Sequence, residues 1–187
     1  MITGQSGAGK GTLIQRLVGL FPRLQLAISA TTRPRRPGEI EGVHYYFITA
    51  EEFDRRLAAD EFLEYHAFPW GQRSGTLRSE LDRIAHEGGA PLLELELNGA
   101  TAVKEQLPGA VTIFVDAPLA ELERRLLSRA TESSGEIHER IALAGQQKAL
   151  ASRFDHVVEN DDRERAAAEC VEIVRRALAE AATMAGR

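Results

Sequence analysis

The order of apolar and polar positions along the chain predicts short strands that alternate with helices. Apolar runs of strand length predict five strands, over residues 24–29, 44–49, 92–97, 111–117 and 156–160. Apolar residues spaced three or four apart predict six helices, over residues 10–21, 50–59, 78–86, 118–129, 136–153 and 162–184. A capping box, Thr49 with Glu52, marks the start of the second helix. This alternation predicts an α/β fold in which a parallel sheet is flanked by helices.

Residues 30–77 differ in character, because prolines and glycines interrupt the pattern throughout. We interpret this stretch as an inserted substrate-binding region within a single domain over residues 1–187. A chain of 187 residues, 43% hydrophobic and 27% charged, suits one compact core. Only three residues precede Gly4, whereas a buried strand has about 5–6. We therefore expect either a short first strand or a start upstream of Met1.

The most informative motif is a glycine-rich turn directly ahead of the first predicted helix. It consists of Gly4, Gln5, Ser6, Gly7, Ala8, Gly9, Lys10, Gly11 and Thr12. Glycines let backbone N–H groups converge on phosphate oxygens, the helix adds the positive end of its dipole, and Lys10 adds a full charge. We interpret the turn as a phosphate-binding loop for a nucleoside triphosphate rather than as a turn that binds nothing. Gly11 stands where such loops carry a metal-binding hydroxyl, so Thr12 is the candidate for Mg²⁺.

A second stretch, residues 29–39, carries three arginines on a loop stiffened by two prolines. Guanidinium groups match the geometry of phosphate oxygens, so this loop predicts a dianion site. A solvated basic loop and a nucleic-acid patch are the alternatives. The net charge of −5 weighs against nucleic acid, and no apolar run approaches the length of a membrane span.

The single cysteine and the five histidines argue against a catalytic thiol and against a histidine-based metal site. Cys170 stands in a helical pattern and is interpreted as a buried structural thiol rather than a catalytic one. The five histidines lack the spacing of metal ligands. We expect no signal peptide, no membrane partner and a cytosolic protein.

Several motifs together resemble the guanylate kinase family. After the phosphate loop, residues 29–47 read Ser-x-Thr-Thr-Arg-x-x-Arg-x-Gly-Glu-x-x-Gly-x-x-Tyr-x-Phe. The likeness continues through residues 61–64, the Gly75-Thr76 step, residues 93–100, the arginine spacing of residues 122–140 and Asn160-Asp161-Asp162. It covers essentially the whole chain, and the block 29–47 and the region 122–140 are its most specific parts.

The resemblance implies a P-loop nucleoside monophosphate kinase fold with a lid over residues 126–144, and phosphoryl transfer from ATP, accompanied by Mg²⁺, to GMP. The implied catalytic residues are Lys10, Arg33, Arg125, Arg129 and Arg140. ATP is expected on the phosphate loop, Gly4 to Thr12, and on Asn160. The expected GMP-binding residues are Ser29, Arg33, Arg36, Tyr45, Glu64, Ser74, Thr76, Glu94 and Glu96.

The chemistry of guanine agrees with the carboxylates in this set. The Watson–Crick edge of guanine offers two donors, and carboxylates only accept, so Glu64 and Glu96 suit it. Adenine presents an acceptor at N1 and would be rejected. Glu94 and Glu96 alternate with leucines, so we expect both on one face of a strand that faces the site. A solvent-facing edge strand is the alternative.

Two positions depart from the family pattern. Ser74 stands where the family has a tyrosine that contacts the GMP phosphate, and Glu96 replaces an aspartate. The loop before Ser74 is also about one residue longer, and it contains Arg73. Either Arg73 reaches the phosphate in place of the missing hydroxyl, or it is a solvated loop residue and one contact is lost.

Two other functions stay open at this point. One is a protein-binding module that has kept the fold and lost catalysis, and the retained Lys10, Arg129 and Arg140 disfavour it. The other is a kinase for another phosphorylated acceptor, such as a ribose phosphate, and Glu64 and Tyr45 disfavour that one. The sequence does not decide between a monomer and a homo-oligomer.

Overall fold

The structure of the protein is a computed structural model that describes residues 1–5, 7–68, 71–122 and 145–185. Within these ranges the strands are β1 Ile2–Gly4, β2 Leu24–Leu26, β3 Ser29–Thr31, β4 Tyr46–Phe47, β5 Phe62–Ala67, β6 Arg73–Leu77, β7 Ala90–Leu92, β8 Ile113–Asp116 and β9 His156–Glu159. The helices are α1 Lys10–Leu20, α2 Ala50–Ala58, α3 Arg78–His86, α4 Leu97–Gln106 and the C-terminal helix Arg163–Ala185, with a 3₁₀ turn at Ala151–Arg153.

The chain forms two compact units. The first contains Met1–Phe21 and Gly109–Arg187, and the second contains Pro22–Pro108. The second unit is wider than the 30–77 stretch, whose role as an insertion stays a prediction.

The first unit is built on a parallel sheet in the order β1-β8-β9. Gly4 pairs with Val115, and Asp116 pairs with Glu159. Parallel strands need crossover connections, which are usually helices. Here α1 and the C-terminal helix pack against each other and contact strands of the sheet. The sheet is lined by buried apolar side chains, among them the stacked rings of Phe114 and Phe154. The predicted α/β fold with a parallel sheet is confirmed.

The second unit combines a parallel pair, β2 with β7, and a mixed sheet in the order β4-β3-β6-β5. The mixed sheet packs one face on α2 through a cluster of Ala30, Phe53, Phe62 and Leu77. The rings of Phe53 and Phe62 stack with centroids 4.4 Å apart. Thr49 caps α2 by accepting from the Glu52 N–H, as the sequence pattern predicted.

A β-bulge lies in β5, the edge strand of the mixed sheet. Phe62 pairs with Leu77, and Glu64 pairs with Thr76, so two steps along β5 match one step along β6. Residues two apart on a regular strand share a face, and the extra residue, Leu63, breaks that rule. Phe62 therefore joins the apolar face on α2, whereas Glu64 turns to the opposite face.

Three predicted element boundaries are wrong. The strand over 24–29 divides into β2 and β3, because the Ile28 N–H leaves the β7 ladder and donates to the Glu80 carboxylate at 2.9 Å. The strand over 92–97 ends at Leu92, and α4 begins at Leu97, so the Asn98-Gly99 pair lies in the first turn of a helix. The helix over 136–153 is helical at 145–148 and becomes a 3₁₀ turn at Ala151–Arg153, while its first part lies outside the described residues.

The loop-rich interpretation of residues 30–77 is also incomplete. Two strands, β5 and β6, form an antiparallel pair there. The outer half of β5 is exposed or half-buried, so its apolar alternation is weak and did not predict a strand. In the part of the chain that the structure describes, no helix combines the length and the apolar character that a membrane span requires.

Candidate active site

The phosphate-binding loop connects β1 to α1. A Cβ added to Gly4 would lie 2.1 Å from Val115 O, so only glycine lets the strand pass this close to β8. Lys10 begins α1, and its Nζ donates to Gly4 O at 2.9 Å and to Gln5 O at 3.1 Å. The ammonium group therefore lies against the carbonyls of the loop itself.

Two buried side chains brace this loop against the sheet. Gln5 Oε1 accepts from the Ala117 N–H at 2.8 Å, and Asn160 Nδ2 donates to Ala8 O at 2.5 Å. The Asn160 N–H also donates to Asp116 O at 2.8 Å. Asn160, predicted to bind ATP, thus contacts the loop backbone and supports its shape. Thr12 is exposed in the first turn of α1.

In the second unit, three of the predicted GMP-binding residues form a row across the mixed sheet. Ser29 on β3 pairs with Thr76 on β6, and Thr76 pairs with Glu64 on β5. Directly paired residues on neighbouring strands project from the same face. The β-bulge therefore brings Glu64 into line with Ser29 and Thr76, on the face opposite the apolar cluster.

Glu64 is a buried carboxylate with a fixed orientation. Its Oε1 accepts from both the N–H and the hydroxyl of Thr76, each at 2.9 Å. Burial raises the pKa of Glu64, the two hydrogen bonds from Thr76 oppose that rise, and the nearby charge of Glu96 adds to it. The site thus holds a carboxyl group whose charge is partly offset by donors and which retains acceptor capacity for a ligand.

Glu94 and Glu96 are both exposed and alternate with the buried residues Leu93, Leu95 and Leu97. The prediction that they share a face is consistent with this alternation, although the segment is not a strand. Glu96 is instead the residue that precedes α4, with an extended backbone at φ −66° and ψ 156°. Glu96 acts electrostatically on Glu64, and Glu94 acts on Tyr45, whose pKa is raised mainly by burial.

The arginine loop is organised by one acidic residue. Arg33 forms a two-pronged ion pair with Glu39, at 2.6 and 3.0 Å, and its guanidinium lies 5.4 Å from the ring centroid of Tyr45. Glu39 also accepts from the Arg36 N–H at 2.7 Å. These contacts, with the Arg33 hydrogen bonds first, lower the pKa of Glu39 to about 2. The loop is therefore pre-ordered, and a dianion would meet Arg33 already held by Glu39.

Ser74 and Arg73 both contact the protein itself, and Arg73 is not the solvated loop residue of the second alternative. The Ser74 hydroxyl donates to Ala30 O at 3.1 Å. The Arg73 guanidinium forms an ion pair with Asp54, donates to Ala50 O at 3.0 Å, and lies 4.6 Å from the ring centroid of Phe53. Arg73 thus binds α2, and it is neither a solvated loop residue nor a group held on the face that carries Glu64.

Replacing Arg73 with alanine is expected to lower the stability of the protein and to leave the affinity for GMP within about twofold. The contact with the Phe53 ring alone is worth about 0.5–1 kcal/mol. Urea unfolding and a GMP titration of the same variant measure both quantities. Asp54→Ala is the matched variant, since it removes the ion pair and keeps the ring contact. A strong loss of GMP affinity at unchanged stability would instead favour a phosphate contact.

Several predicted residues cannot be placed. Ser6, Arg125, Arg129 and Arg140, together with the lid over 126–144, lie outside the described residues. Cys170 is buried as expected, and burial raises its pKa to about 11, so its thiol is protonated near neutral pH. Over residues 1–5, 7–68, 71–122 and 145–185, no group of three or more His, Cys, Asp or Glu side chains could hold a metal ion.

Three contributors to the site were not predicted from the sequence. They are Glu39, which holds Arg33; the bulge at Leu63, which turns Glu64; and Gly99, which lies against the Glu64 carboxylate. Glu39 could have been found, because an acidic residue six positions after Arg33 on a turn is within reach of it. The bulge at Leu63 and the role of Gly99 depend on contacts between β5 and α4, which no local sequence pattern indicates.

Three comparisons with known proteins each find guanylate kinases similar to this chain. The sequence profile described as guanylate kinase matches residues 1–177. Guanylate kinase from Symbiobacterium thermophilum is 42% identical over 175 residues, which cover 93% of this chain and 82% of that protein. Guanylate kinase from Rubrobacter xylanophilus is 43% identical over 180 residues, which cover 96% and 94%. The crystal structure of guanylate kinase from Anaplasma phagocytophilum matches with a TM-score of 0.73 at 28% identity, and covers 94% of this chain and 84% of that one.

Proposed function

This chain belongs to the guanylate kinase family, and we propose that it transfers the γ-phosphoryl group of ATP to GMP and dGMP, giving ADP and the nucleoside diphosphate. The observation that carries the choice of acceptor is the buried Glu64 carboxylate, oriented by Thr76 and close to Glu96. Guanine presents N1–H and an amino group, which are both donors, and a carboxylate accepts from both. The N1 of adenine is an acceptor, so its lone pair would face the lone pairs of the carboxylate and no hydrogen bond would form.

The reaction needs no general base. The nucleophile is an oxygen of the GMP phosphate, whose second pKa is about 6, so it is largely ionised near neutral pH. The barrier comes from the approach of two anions, and catalysis therefore consists of positioning and charge neutralisation. Lys10 would neutralise the reacting phosphates of ATP, Arg33 and Arg36 would hold the GMP phosphate, and Arg125, Arg129 and Arg140 would act on the group in transfer.

A metal would enter with ATP. The Thr12 hydroxyl stands exposed in the first turn of α1, two residues after Lys10, and is the protein group that fits a metal carried by the triphosphate. When bound, Mg²⁺ neutralises charge on the β- and γ-phosphates. The protein's own part is the loop backbone, which Gln5 and Asn160 hold in shape.

We expect efficient turnover of GMP and dGMP and at least about tenfold lower efficiency with AMP, since a mismatched buried polar group costs about 1–3 kcal/mol. An assay of ADP release with ATP·Mg²⁺ across GMP, dGMP, AMP, UMP, CMP and a ribose phosphate measures this. Equal rates with GMP and AMP would contradict the assignment. Binding of GMP without ADP release would indicate a binding module, and turnover of a ribose phosphate alone would indicate a different kinase.

A further inference from the structure

The bulge in β5 is held from outside the sheet. β5 is the edge strand, and α4 packs along it. The carbonyl of Leu63, the extra residue of the bulge, accepts a hydrogen bond from Gln106 Nε2 at 3.1 Å. Gln106 is the last residue of α4, so the end of this helix bonds directly to the irregular position that turns Glu64. Edge bulges re-aim side chains next to active sites, and they require such partners.

The beginning of α4 touches the carboxylate itself. A Cβ added to Gly99 would lie 2.3 Å from Glu64 Oε2 and 3.1 Å from its carboxyl carbon. Real side chains do not approach that closely, so Glu64 occupies the space that any other residue at position 99 would fill. Thr76 holds Oε1 from the other side. The two oxygens of Glu64 are thus located by contacts from two different elements.

The contact between α4 and this part of β5 is not close-packed throughout. A cavity of about 410 Å³ lies between them, lined by Ala102 as well as by Leu63, Glu64, Gly99 and Gln106. A side chain beside a cavity of this size can shift at low cost when a neighbouring contact is lost. We therefore expect the position of the Glu64 carboxylate to depend on the contacts at Gly99 and Gln106 as well as on the hydrogen bonds from Thr76.

We propose that α4 positions the carboxylate that binds the acceptor base, and that Gly99 and Gln106 are positioning residues which set the affinity for GMP without touching the nucleotide. This inference rests on the proposed function, because it assigns Glu64 to guanine. It adds that the affinity for the base also depends on two residues of α4, one against Glu64 and one bonded to Leu63.

The first test is Gly99→Ala. Alanine is a better helix former than glycine by about 1 kcal/mol, so helix propensity does not disfavour α4 in this variant. We expect the Kd for GMP, measured by calorimetry, to rise at least about tenfold, and the Kd for ATP to stay unchanged. Gly19→Ala is the matched control, since it makes the same change in α1, where the added Cβ meets no atom within 4 Å.

The second test is a compensating change. Glu64→Asp shortens the side chain by one methylene and withdraws the carboxylate from position 99. We expect Gly99→Ala with Glu64→Asp to bind GMP more tightly than the product of the two single effects predicts. Independent effects that simply multiply would overturn the proposal, as would wild-type GMP affinity in Gly99→Ala.

Gln106→Met provides a test that does not change the volume near Glu64. It removes the donor to Leu63 O and keeps a side chain of similar length. We expect GMP to bind about five- to tenfold more weakly, the factor that corresponds to one hydrogen bond, with ATP binding unchanged. Equal losses of GMP and ATP affinity would indicate general destabilisation and would overturn the proposal.

A readout without nucleotide separates this inference from the proposed function. The carboxyl carbon of Glu64, followed by NMR as the pH changes, reports the pKa of Glu64 in the free protein. Displacement in Gly99→Ala changes both burial and the bonds from Thr76, so we expect that pKa to shift relative to the wild type. An unchanged pKa in Gly99→Ala would overturn the geometric claim. The expected shift in Gly99→Ala, together with a wild-type protein that does not bind GMP, would overturn the assigned function alone.

Discussion

Lys10→Met is expected to lower kcat by at least about a hundredfold, the scale observed when a single group that stabilises transition-state charge is removed. Methionine keeps most of the aliphatic stem of lysine and removes its charge. Phosphoryl transfer brings two anions together, and the lysine of the phosphate loop is the one cation that the described residues place at the start of α1. A kinetic assay with saturating GMP and varied ATP·Mg²⁺ gives both kcat and KM for this variant.

The structure adds a cost in stability to this prediction. Lys10 Nζ donates to Gly4 O and Gln5 O, so the variant leaves two loop carbonyls without that donor. We therefore expect a modest decrease in Tm together with the loss of turnover. Lys104→Met is the control, because it makes the same substitution on α4, outside the segment that forms the phosphate-binding loop. Activity within a few-fold of wild type would mean that Lys10 does not act on the reacting phosphates.

Features that depend on local pattern were predictable from the sequence. The phosphate loop, the start of α1 and the cap of α2 at Thr49 each follow from a few adjacent residues, and the structure has them where they were expected. The central strand β8 was also predictable, because a buried parallel strand is apolar on both faces. In these cases the residues that form the sequence pattern are the same residues that form the structural element.

Features that depend on contacts between distant segments were not predictable in this way. The helix α4 was missed because Asn98-Gly99 has the composition of a turn, although Leu97, Ala100 and Val103 already had helical spacing and are buried. The bulge at Leu63 requires Gln106, which follows it by 43 residues. Arg73 was assigned to a loop, whereas its partners are on α2. For the bulge and for Arg73, a tertiary contact outweighs the local preference.

Glu64→Gln is expected to lower kcat/KM for GMP by roughly ten- to hundredfold, which corresponds to about 1–3 kcal/mol for a mismatched buried polar group. The amide oxygen of glutamine can keep the two hydrogen bonds from Thr76, which in the wild type go to a single oxygen, Oε1. The amide nitrogen then takes the place of Oε2 and presents donors to a base edge that also presents donors. The variant is therefore expected to keep the fold and the orientation of the side chain at position 64, and to lose the acceptor at the position of Oε2.

The pH dependence of GMP binding gives a second signature of the same residue. Burial raises the folded-state pKa of Glu64 above its ordinary value of 4.5. The carboxylate that accepts from guanine is therefore lost as the pH falls through that raised pKa, and GMP affinity should fall with it. Since ionised Glu64 is disfavoured by burial, its contribution to stability decreases as the pH rises from 4.5 through the raised pKa. Glu64→Gln should remove this step and melt at the same temperature as the wild type or higher near neutral pH.

Glu61→Gln is the matched control for both measurements. Glu61 lies three residues earlier, and its carboxylate is partly exposed and pairs with Arg56 at 3.2 Å, away from the row of Ser29, Thr76 and Glu64. The same chemical change at position 61 should leave GMP turnover and its pH dependence unchanged. If Glu64→Gln turned over GMP as the wild type does, or if both variants lost activity equally, Glu64 would not be the group that reads the base. If only Glu64→Gln lost GMP turnover and its Tm were higher than that of the wild type, the ionised Glu64 carboxylate would destabilise the fold while providing the acceptor that guanine binding needs.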